Sequence, residues 1–527
     1  MFPATARLYP KVAALVPLLA MLAACGNPET GARRVNPDFI GGAVSEEPRS
    51  ALIAREVLAG GGSAVDAVVA GYFAMAVTLP SSVGLGGGGS CAVYDRDKRT
   101  GEIIEFPALA ASSAPNAVAI PAAPRGLYAL HARYGVTPFT NLMIPAERLA
   151  RFGEPVSRKL ANDIAFASRV LPQIPDTREM FAPNGRLAVE RDMLTQFDLA
   201  ATLGRLRSVG IGDLYNGQMA RDLSRMIEAS GGALPYEALR DYVPTWRPSP
   251  GLKAGNNTLV MASTDTVSAA YAETVWRMLT EVRAYESASA EEQPHLLAEA
   301  SMRAHAAIAA LIRDSGTVRA LTLAEARSAM AGYDPARHQP AGTPPLSAPA
   351  EGGPGAASIL AYDSAGQLVS CAFTMNAPFG TLRKAPGLGF LVAPPPAPPG
   401  RSAPVGHGIV MFNENSRNGY YLAAGSGGFP ASLAILRGTL DVLDGMDVAQ
   451  AISRPRQHVG GAPDAVWVEP GMPEAVTQSL TRRGYSVDQG RHFGRVQAVH
   501  CPVGLPNDYS CTRVPDPRGN GLAVSGD

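Results

Sequence analysis

The glycine-rich turn Gly425-Ser426-Gly427-Gly428 is a candidate for binding an anion. It follows a short apolar run at residues 420–424, typical of a strand, and precedes an apolar stretch at residues 431–443, typical of a helix. A strand, a glycine turn and a helix in this order can direct backbone N–H groups at an anion. Because glycine also permits positive φ, a purely structural turn is the alternative.

Cysteine and histidine spacing gives no metal site. The five cysteines and eight histidines form no cluster with zinc-ligand spacing, so we expect no metal and no cofactor. Cys501 and Cys511 flank a short turn rich in proline and glycine, and we expect a local disulfide between them. Cys91 and Cys371 lie in short apolar runs, and we expect both to be packed thiols.

The N-terminal segment has the pattern of an export signal. Arg7 and Lys11 precede an apolar run at residues 12–22, which is too short for a mature transmembrane helix. The ending Leu-Ala-Ala-Cys resembles a bacterial lipoprotein cleavage box, which predicts removal of residues 1–24 and a lipid on Cys25. We therefore expect a protein of the cell envelope or periplasm, lipid-anchored to a bacterial membrane. An ordinary cleaved signal with an incidental cysteine is the alternative.

Composition predicts a large folded protein without a nucleic-acid partner. Of the 527 residues 46% are hydrophobic, which is enough for a large core, and the formal net charge is zero. Downstream of a polar tether at residues 25–38, residues 39–338 are rich in helical patterns. A Pro/Gly-rich linker at residues 339–355 separates them from residues 356–527, which are rich in strand patterns.

Local patterns in the first region predict a buried helix and a hairpin. Residues 49–79 read as helix interrupted by glycines, with Ser63 capping the second half and Asp66 three residues later. This stretch is so rich in alanine and valine that it must be buried on most sides. A glycine-rich loop at residues 84–89 then leads into a hairpin of residues 90–94 and 102–106.

Several stretches together resemble the gamma-glutamyltranspeptidase family, in collinear order over about residues 40–520. They are Gly61-Gly62-Ser63-Ala64-Val65-Asp66-Ala67, the loop 84–89 with Ala92-Val93-Tyr94, His131-Ala132-Arg133-Tyr134-Gly135, Asp213-Leu214-Tyr215-Asn216-Gly217, Tyr362-Asp363-Ser364-Ala365-Gly366-Gln367, Asn376-Ala377-Pro378-Phe379-Gly380, Pro455-Arg456-Gln457-His458 and Asp516-Pro517-Arg518.

The resemblance implies an α+β fold of the N-terminal-nucleophile hydrolase type, a four-layer αββα sandwich of two stacked antiparallel sheets. It makes residues 39–338 similar to the family's large subunit and residues 356–527 similar to its small subunit. Members of the family cut themselves before a threonine, whose hydroxyl then acts as nucleophile and whose amine acts as base. That threonine takes the gamma-glutamyl group from glutathione and passes it to water or an amino acid.

This sequence departs from the family at the nucleophile, where it has Ala356. A methyl group cannot attack a carbonyl, and Ser358 is the nearest hydroxyl that could replace it. Two residues along a strand, Ser358 would face the same side about 6.6–6.8 Å away. Such a displacement is far beyond the tolerance of attack geometry, so Ser358 is a weak candidate.

Other family positions are altered as well. The substrate-binding arginine falls on Pro107, the serine pair falls near Ala403 and Pro404, and the acidic residue falls in the loop 394–399, which has no carboxylate. Asn376 survives, as does the Gly427-Gly428 turn at the family's oxyanion site.

These departures favour a non-catalytic, uncleaved envelope protein that binds a small gamma-glutamyl-like ligand or an envelope protein. The first alternative is an active gamma-glutamyltransferase, glutathione hydrolase or related amidohydrolase with rearranged catalytic groups. The second is a structural lipoprotein. An active member should appear as two fragments cut near residue 356, which separates the first alternative from the others.

Overall fold

The computed structural model describes residues 39–249, 251–263, 266–342, 355–396, 406–459, 464–491, 493–506 and 510–525. The predictions for residues 1–38, with the signal, Cys25 and the tether, lie outside these residues. So does most of the linker, together with Ala403 and Pro404. No helix in the described ranges combines the length and apolar character needed to cross a membrane.

Two antiparallel sheets form the centre of the molecule. Within the described residues the first sheet has the strand order β18 (Leu522–Ser525), β1 (Gly41–Ser45), β9 (Ala356–Asp363), β10 (Leu368–Thr374), β2 (Gly88–Asp95), β3 (Thr100–Phe106) and β6 (Thr245–Pro248). The second sheet has the order β17 (Thr512–Val514), β16 (Arg495–Leu505), β12 (Gly419–Ser426), β11 (Gly406–Phe412), β8 (Asn257–Ser263) and β7 (Leu252–Ala254). Two small sheets are made of β4 (Glu154–Pro155) with β5 (Met193–Leu194), and of β13 (Gln457–Val459), β14 (Ala465–Val468) and β15 (Ser486–Gln489).

Helices cover the outer faces of both sheets. Those of the N-terminal part are α1 (Pro48–Ala59), α2 (Ala64–Thr78), α3 (Ala123–Tyr134), α4 (Phe139–Leu142), α5 (Ile144–Phe152), α6 (Arg158–Phe166), α7 (Pro175–Phe181), α8 (Phe197–Val209), α9 (Gln218–Ala229) and α10 (Tyr236–Asp241). Those that follow are α11 (Thr266–Arg277), α12 (Gln293–Ser315), α13 (Leu323–Met330), α14 (Phe429–Leu443), α15 (Val448–Ser453) and α16 (Glu474–Arg482).

The local predictions for α2 and for the first hairpin are confirmed. Ser63 Oγ accepts from Asp66 N at 3.2 Å, and the Asp66 carboxylate accepts from Ser63 N at 2.9 Å, which is a complete capping box. Every residue of α2 is buried, so this helix packs on all sides. Strands β2 and β3 pair in the predicted hairpin, over slightly longer ranges.

Strand alternation in β9 separates two apolar layers. Ala357 and Ile359 join the core between the first sheet and its helices, whereas Leu360 and Tyr362 join the core between the sheets. A third core lies between the second sheet and helices such as α11, α12 and α14. The result is the predicted four-layer sandwich of helices, sheet, sheet and helices.

The two regions on either side of the linker are interleaved. In the first sheet β9 and β10, from the C-terminal region, lie between β1 and β2, from the N-terminal region. In the second sheet β11 likewise pairs with β8. Neither region can therefore complete a sheet alone, and the site at the start of β9 is assembled from both.

Candidate functional site

Ala356 is the first residue of β9 and lies opposite Thr374 of β10, with its side chain almost fully buried. The preceding Gly355 carbonyl is fixed by two hydrogen bonds, from Met375 N at 2.9 Å and from Thr374 Oγ1 at 3.1 Å. Gly355 has a φ of +64°, and a Cβ there would lie 2.3 Å from the Ala377 carbonyl carbon. The chain therefore enters β9 through a position that requires glycine.

Ser358 faces the same side as Ala356 but is buried in a hydrogen-bond network. Its hydroxyl donates to Glu46 Oε1 at 2.9 Å, and its backbone N–H donates to the same oxygen at 3.1 Å. The Ser358 side chain is fully inaccessible to solvent. Glu46 follows β1, the neighbouring strand, so the serine is held by the sheet that contains it.

Glu46 joins the ends of the two sheets. Its second oxygen, Oε2, accepts from Ser426 Oγ at 2.9 Å and from Arg495 Nε at 2.8 Å. Ser426 ends β12 and Arg495 begins β16, both in the second sheet. Burial lowers the pKa of Arg495, but the Glu46 carboxylate outweighs it and leaves that pKa raised. We call Glu46, Ser358, Ser426 and Arg495 the Glu46 cluster.

A second buried ion pair lies beside the Glu46 cluster. Lys159 and Asp163, one turn apart on α6, form an ion pair, and Ser81 Oγ donates to Asp163 at 2.6 Å. Burial lowers the pKa of Lys159, and the positive charge of Arg495 lowers it further. The Ser81 carbonyl accepts from Phe379 N at 2.9 Å, which connects this pair to the loop after β10.

Asn376, which the sequence assigns to the residual pocket, connects two loops. Its φ is +59°, and its side-chain amide donates to the carbonyls of Ala108 and Pro394, each at 2.9 Å. Its backbone N–H donates to Thr374 Oγ1 at 2.8 Å. Both amide hydrogens are used by backbone carbonyls, so they hold the loops after β3 and after β10 together.

The Gly427-Gly428 turn lies between β12 and α14, as the sequence predicts. Both residues have positive φ, +124° and +78°, and a Cβ on Gly427 would lie 2.4 Å from Gly494 Cα. Gly428 is the N-cap residue of α14 and makes no side-chain cap. The turn directly follows Ser426, which ends β12 and belongs to the Glu46 cluster. It therefore lies on the side of the second sheet that faces β9.

Pro107, at the family's arginine position, directly follows β3. Its carbonyl accepts from the Tyr242 hydroxyl at 3.1 Å. Arg125 lies nearby, but its Nη1 donates to three backbone carbonyls, including that of Tyr242, and its guanidinium stacks 4.0 Å from the Tyr215 ring. The guanidinium of Arg125 therefore holds the protein's own backbone and the Tyr215 ring.

The cysteines form two disulfides. Cys501 and Cys511 are joined, as expected from the sequence. The expectation that Cys91 and Cys371 are packed thiols is wrong, because the structure joins them as well. The physical reason is the register of β2 and β10, which places the two residues directly opposite each other although 280 residues separate them.

Comparison with known proteins decides the family. The gamma-glutamyltranspeptidase family model matches residues 50–393 and 408–525. The chain belongs to this family. The acylase ACY 1 proenzyme of Pseudomonas sp. strain SE83 is 26% identical over 97% of both chains, and the glutathione hydrolase proenzyme of Escherichia coli K12 is 26% identical over 86% of this chain and 87% of that one.

Solved structures agree on the fold. The cephalosporin acylase of Bacillus halodurans superposes with a TM-score of 0.76, covering 92% of this chain and 96% of that chain at 21% sequence identity. The N-terminal-nucleophile hydrolase fold predicted from the family motifs is thereby confirmed.

The motifs of the gamma-glutamyltranspeptidase family did not reveal the Glu46 cluster: Ser358 and the turn at Ser426 were singled out, but Glu46 and Arg495, which connect them, were not. Glu46 and Ser358 are 312 residues apart, and Glu46 and Arg495 are 449 apart, so no local spacing connects them. A weak signal was present, since two adjacent carboxylates, Glu46 and Glu47, end an apolar strand pattern. Because successive side chains of a strand point to opposite faces, one of these two carboxylates is expected to face the space between the sheets.

Three histidines with lowered pKa values are a second feature that the motifs did not explain, although His458 lies in one of those motifs; His407 and His458 are buried and His305 is partly buried. His305, His407 and His458 lie on α12, β11 and β13, around the helices that cover the second sheet. Burial lowers the pKa of His305 and His407 to about 4 and that of His458 to about 3. Within the described part of the chain no cluster of three or more metal-ligating side chains occurs. We call these residues the histidine group.

Proposed function

We propose that this chain is an uncleaved, non-catalytic member of the gamma-glutamyltranspeptidase family. The observation that carries the proposal is Ala356 at the start of β9, where the family has its threonine. Alanine supplies no hydroxyl for the acyl shift that would cut the chain or for attack on a substrate. The Gly355 carbonyl, which that shift would attack, is instead held by Thr374 and Met375.

The surroundings of Ser358 support this proposal. Its hydroxyl is buried and donates to a carboxylate that is already paired with Arg495. A nucleophile must reach the substrate carbonyl at about 3–3.5 Å, which a fully enclosed oxygen cannot do without opening the cluster. A structural role for Ser358 therefore fits the geometry better than a catalytic one.

Pro107 supports the proposal that this chain no longer binds the family's gamma-glutamyl substrate. Proline has no N–H to donate, and the adjacent Arg125 is bound to backbone carbonyls. A gamma-glutamyl substrate would lose a charge-assisted pair worth about 1.5–3 kcal/mol here. What such a pocket could retain is a small gamma-glutamyl-like ligand held weakly, or a partner protein of the envelope.

Export to the cell envelope, with a lipid on Cys25, is part of the same proposal. Disulfides persist in oxidising compartments, so the Cys91–Cys371 and Cys501–Cys511 bonds support secretion. The lipoprotein-type ending of the signal supports a membrane anchor in the periplasm. A purely structural lipoprotein would share these features and differ in having no ligand.

The state of the mature chain tests the proposal. Mass spectrometry of protein isolated from membranes should show one polypeptide that begins at Cys25 and carries the mass of its acyl groups. Cys25→Ser should abolish the added mass without affecting chain continuity, and so serves as the control. Two fragments that meet near residue 356 would contradict the proposal.

Enzyme assays test it independently. Neither the wild type nor Ala356→Thr should release the aniline from a gamma-glutamyl anilide faster than buffer does. The variant regains a hydroxyl but still meets Pro107, and Ser358 replaces the family's histidine next to it. A parallel sample with Ser358→Ala provides the comparison, because wild-type turnover that disappears in this variant would make Ser358 the nucleophile.

A second candidate function is amide hydrolysis of another substrate class. It is favoured by the similarity to the acylase ACY 1 proenzyme, which extends over 97% of both chains. An acylase need not bind a gamma-glutamyl group, so Pro107 would not exclude it. The same three proteins assayed with a cephalosporin amide would decide it, and we expect no turnover from any of them.

A further inference from the structure

A cavity of about 490 Å³ opens beside the corner between β1 and α1. Its walls come from α1, from β4, from the start of α6 and from the loop after α7, and its volume lies in the range of small-molecule sites. The apolar lining consists of Pro48, Leu52, Pro155 and Val156. None of its lining residues belongs to the family motifs named in the sequence.

The carboxyl group of Glu47 is the buried charge of this cavity. Glu47 is only 2% exposed, and its Oε2 accepts from Ser157 Oγ at 2.9 Å. Burial raises the pKa of Glu47 to about 7, and the hydrogen bond from Ser157 only partly offsets this. A carboxylate at this depth is stable as an ion only beside a positive charge.

The positively charged side chains around Glu47 form ion pairs with other carboxylates. Arg49 donates to both oxygens of Glu154, at 2.6 and 3.2 Å, and Arg158 donates to both oxygens of Glu190, at 3.0 and 3.2 Å. Lys159 is paired with Asp163. Of the side chains that the structure describes, none forms an ion pair with Glu47; the charge of Glu154 raises its pKa and that of Lys159 lowers it, both by less than burial does.

Arg191 is the remaining cation on the cavity wall. It is exposed, so solvent screens its effect on a ligand at the buried end. The cavity therefore combines a shielded carboxyl group that lacks a counter-ion with apolar walls and an opening to solvent. This combination suits a cation carried on a short hydrocarbon chain.

We propose that this cavity binds a primary ammonium group on a short apolar body, with the ammonium on Glu47 and the carbon chain against Leu52, Pro155 and Val156. The ammonium could belong to a free amine or to the amino end of a peptide. The site is independent of the proposed loss of catalysis, since it lies outside the segment around Ala356.

Calorimetric titration of the full mature chain, about one pH unit above the Glu47 pKa of about 7, tests the proposal. The probes are 3-methylbutylamine, its uncharged counterpart 3-methylbutanol, and L-leucinamide as a mimic of a peptide amino end. We expect the amine to bind at least about ten-fold more tightly than the alcohol. Stronger binding of leucinamide than of the amine would identify the peptide end as the natural ligand, and the reverse would identify a free amine.

Glu47→Gln should weaken binding of the amine about ten- to hundred-fold, because it removes the charge and keeps the shape. Glu190→Gln is the matched control, since this carboxylate lines the same cavity but is paired with Arg158, and it should change affinity less than about three-fold. Glutamine replaces a carboxyl group that is already partly neutral near pH 7, so the fold should tolerate it.

Leu52→Lys provides a second variant at a half-exposed position. Its tethered ammonium should occupy the cavity and abolish binding of the amine. Thermal unfolding confirms that each variant is folded. Equal affinity for amine and alcohol, unchanged binding in Glu47→Gln, or no binding by folded wild type would each overturn the proposal.

Discussion

The Glu46 cluster and the histidine group are both largely buried, but they meet the cost of burial in opposite ways. Glu46 accepts hydrogen bonds from Arg495 and from the hydroxyls of Ser426 and Ser358. His458 has no hydrogen-bond partner for either ring nitrogen among the described residues, and its neighbours are the rings of Trp467 and Phe493. One region is stabilised by pairing, whereas the other is stable only while it remains neutral.

The two regions should therefore lose stability under different conditions. Removing one member of a buried ion pair leaves an uncompensated charge, so the Glu46 cluster should respond to substitution. A neutral imidazole in an aromatic environment is destabilised by a proton, so the histidine group should respond to acid. The first region joins the two sheets near Ala356, and the second supports the helices over the second sheet.

The largest expected effect is that of Arg495→Met, which would leave Glu46 buried without its cation. We expect the free energy of unfolding to fall by about 3–5 kcal/mol. Urea denaturation measures it, with Arg158→Met at an exposed pair as a control that should change little. Adding Glu46→Gln to Arg495→Met should restore much of the loss, and strictly additive losses would show that the pair is not coupled.

Acid should destabilise the histidine group. The pKa of His458 is about 3 in the folded chain and about 6.5 when unfolded, so its stabilisation is present above pH 6.5 and is lost as pH falls toward 3. The free energy of unfolding should decrease by about 1.4 kcal/mol per pH unit for this residue, or about 2 kcal/mol at pH 5. His458→Phe should remove this residue's share of the slope in urea titrations at several pH values, while the shares of His305 and His407 remain.

His338 provides the contrast within this experiment. Burial lowers its pKa, but the carboxylates of Glu299 and Asp464 raise it by more, so the net shift is upward. Its stabilisation is present below pH 6.5 and is lost as pH rises through the higher folded value. His338→Gln should therefore leave the acid slope unchanged. An acid slope that persists undiminished in His458→Phe and disappears in His338→Gln would reverse the comparison.

The smallest expected effect is that of Ser358→Ala. It removes one hydroxyl donor to Glu46 but leaves the backbone N–H of residue 358 and the Arg495 pair in place. We expect a loss of about 1 kcal/mol in the free energy of unfolding, measured by urea denaturation. Ser426→Ala removes the corresponding donor to Oε2 and should cost about the same. A loss as large as that of Arg495→Met would make the hydroxyls, rather than the ion pair, the basis of the cluster.

Local patterns predicted the elements well because their causes are local. The Ser63–Asp66 capping box and the glycine turn before α14 depend on residues a few positions apart. The four-layer arrangement came from the ordered family motifs, since hydrophobic periodicity alone does not specify how sheets stack.

Long-range pairing accounts for what the sequence did not reveal. The Cys91–Cys371 bond and the Glu46 cluster join residues separated by about 280 or more positions, and only the strand register brings them together. Asn376 lies in the loop after β10 and Gly427 in the turn after β12, and their place in a residual pocket stays a prediction. The contacts of both residues show that the backbone needs them for its geometry. A sequence motif alone cannot distinguish this structural role from a role in binding.

The place of β1 between β9 and β18 has a consequence for how the chain is made. Residues 41–45 are synthesised early, yet one of their two neighbours is β18, which comprises residues 522–525. Strand β1 therefore remains an open edge until residues 522–525 have been synthesised. A chain shortened before residue 522 would retain that edge permanently, with unpaired backbone groups on β1 available for association with other chains.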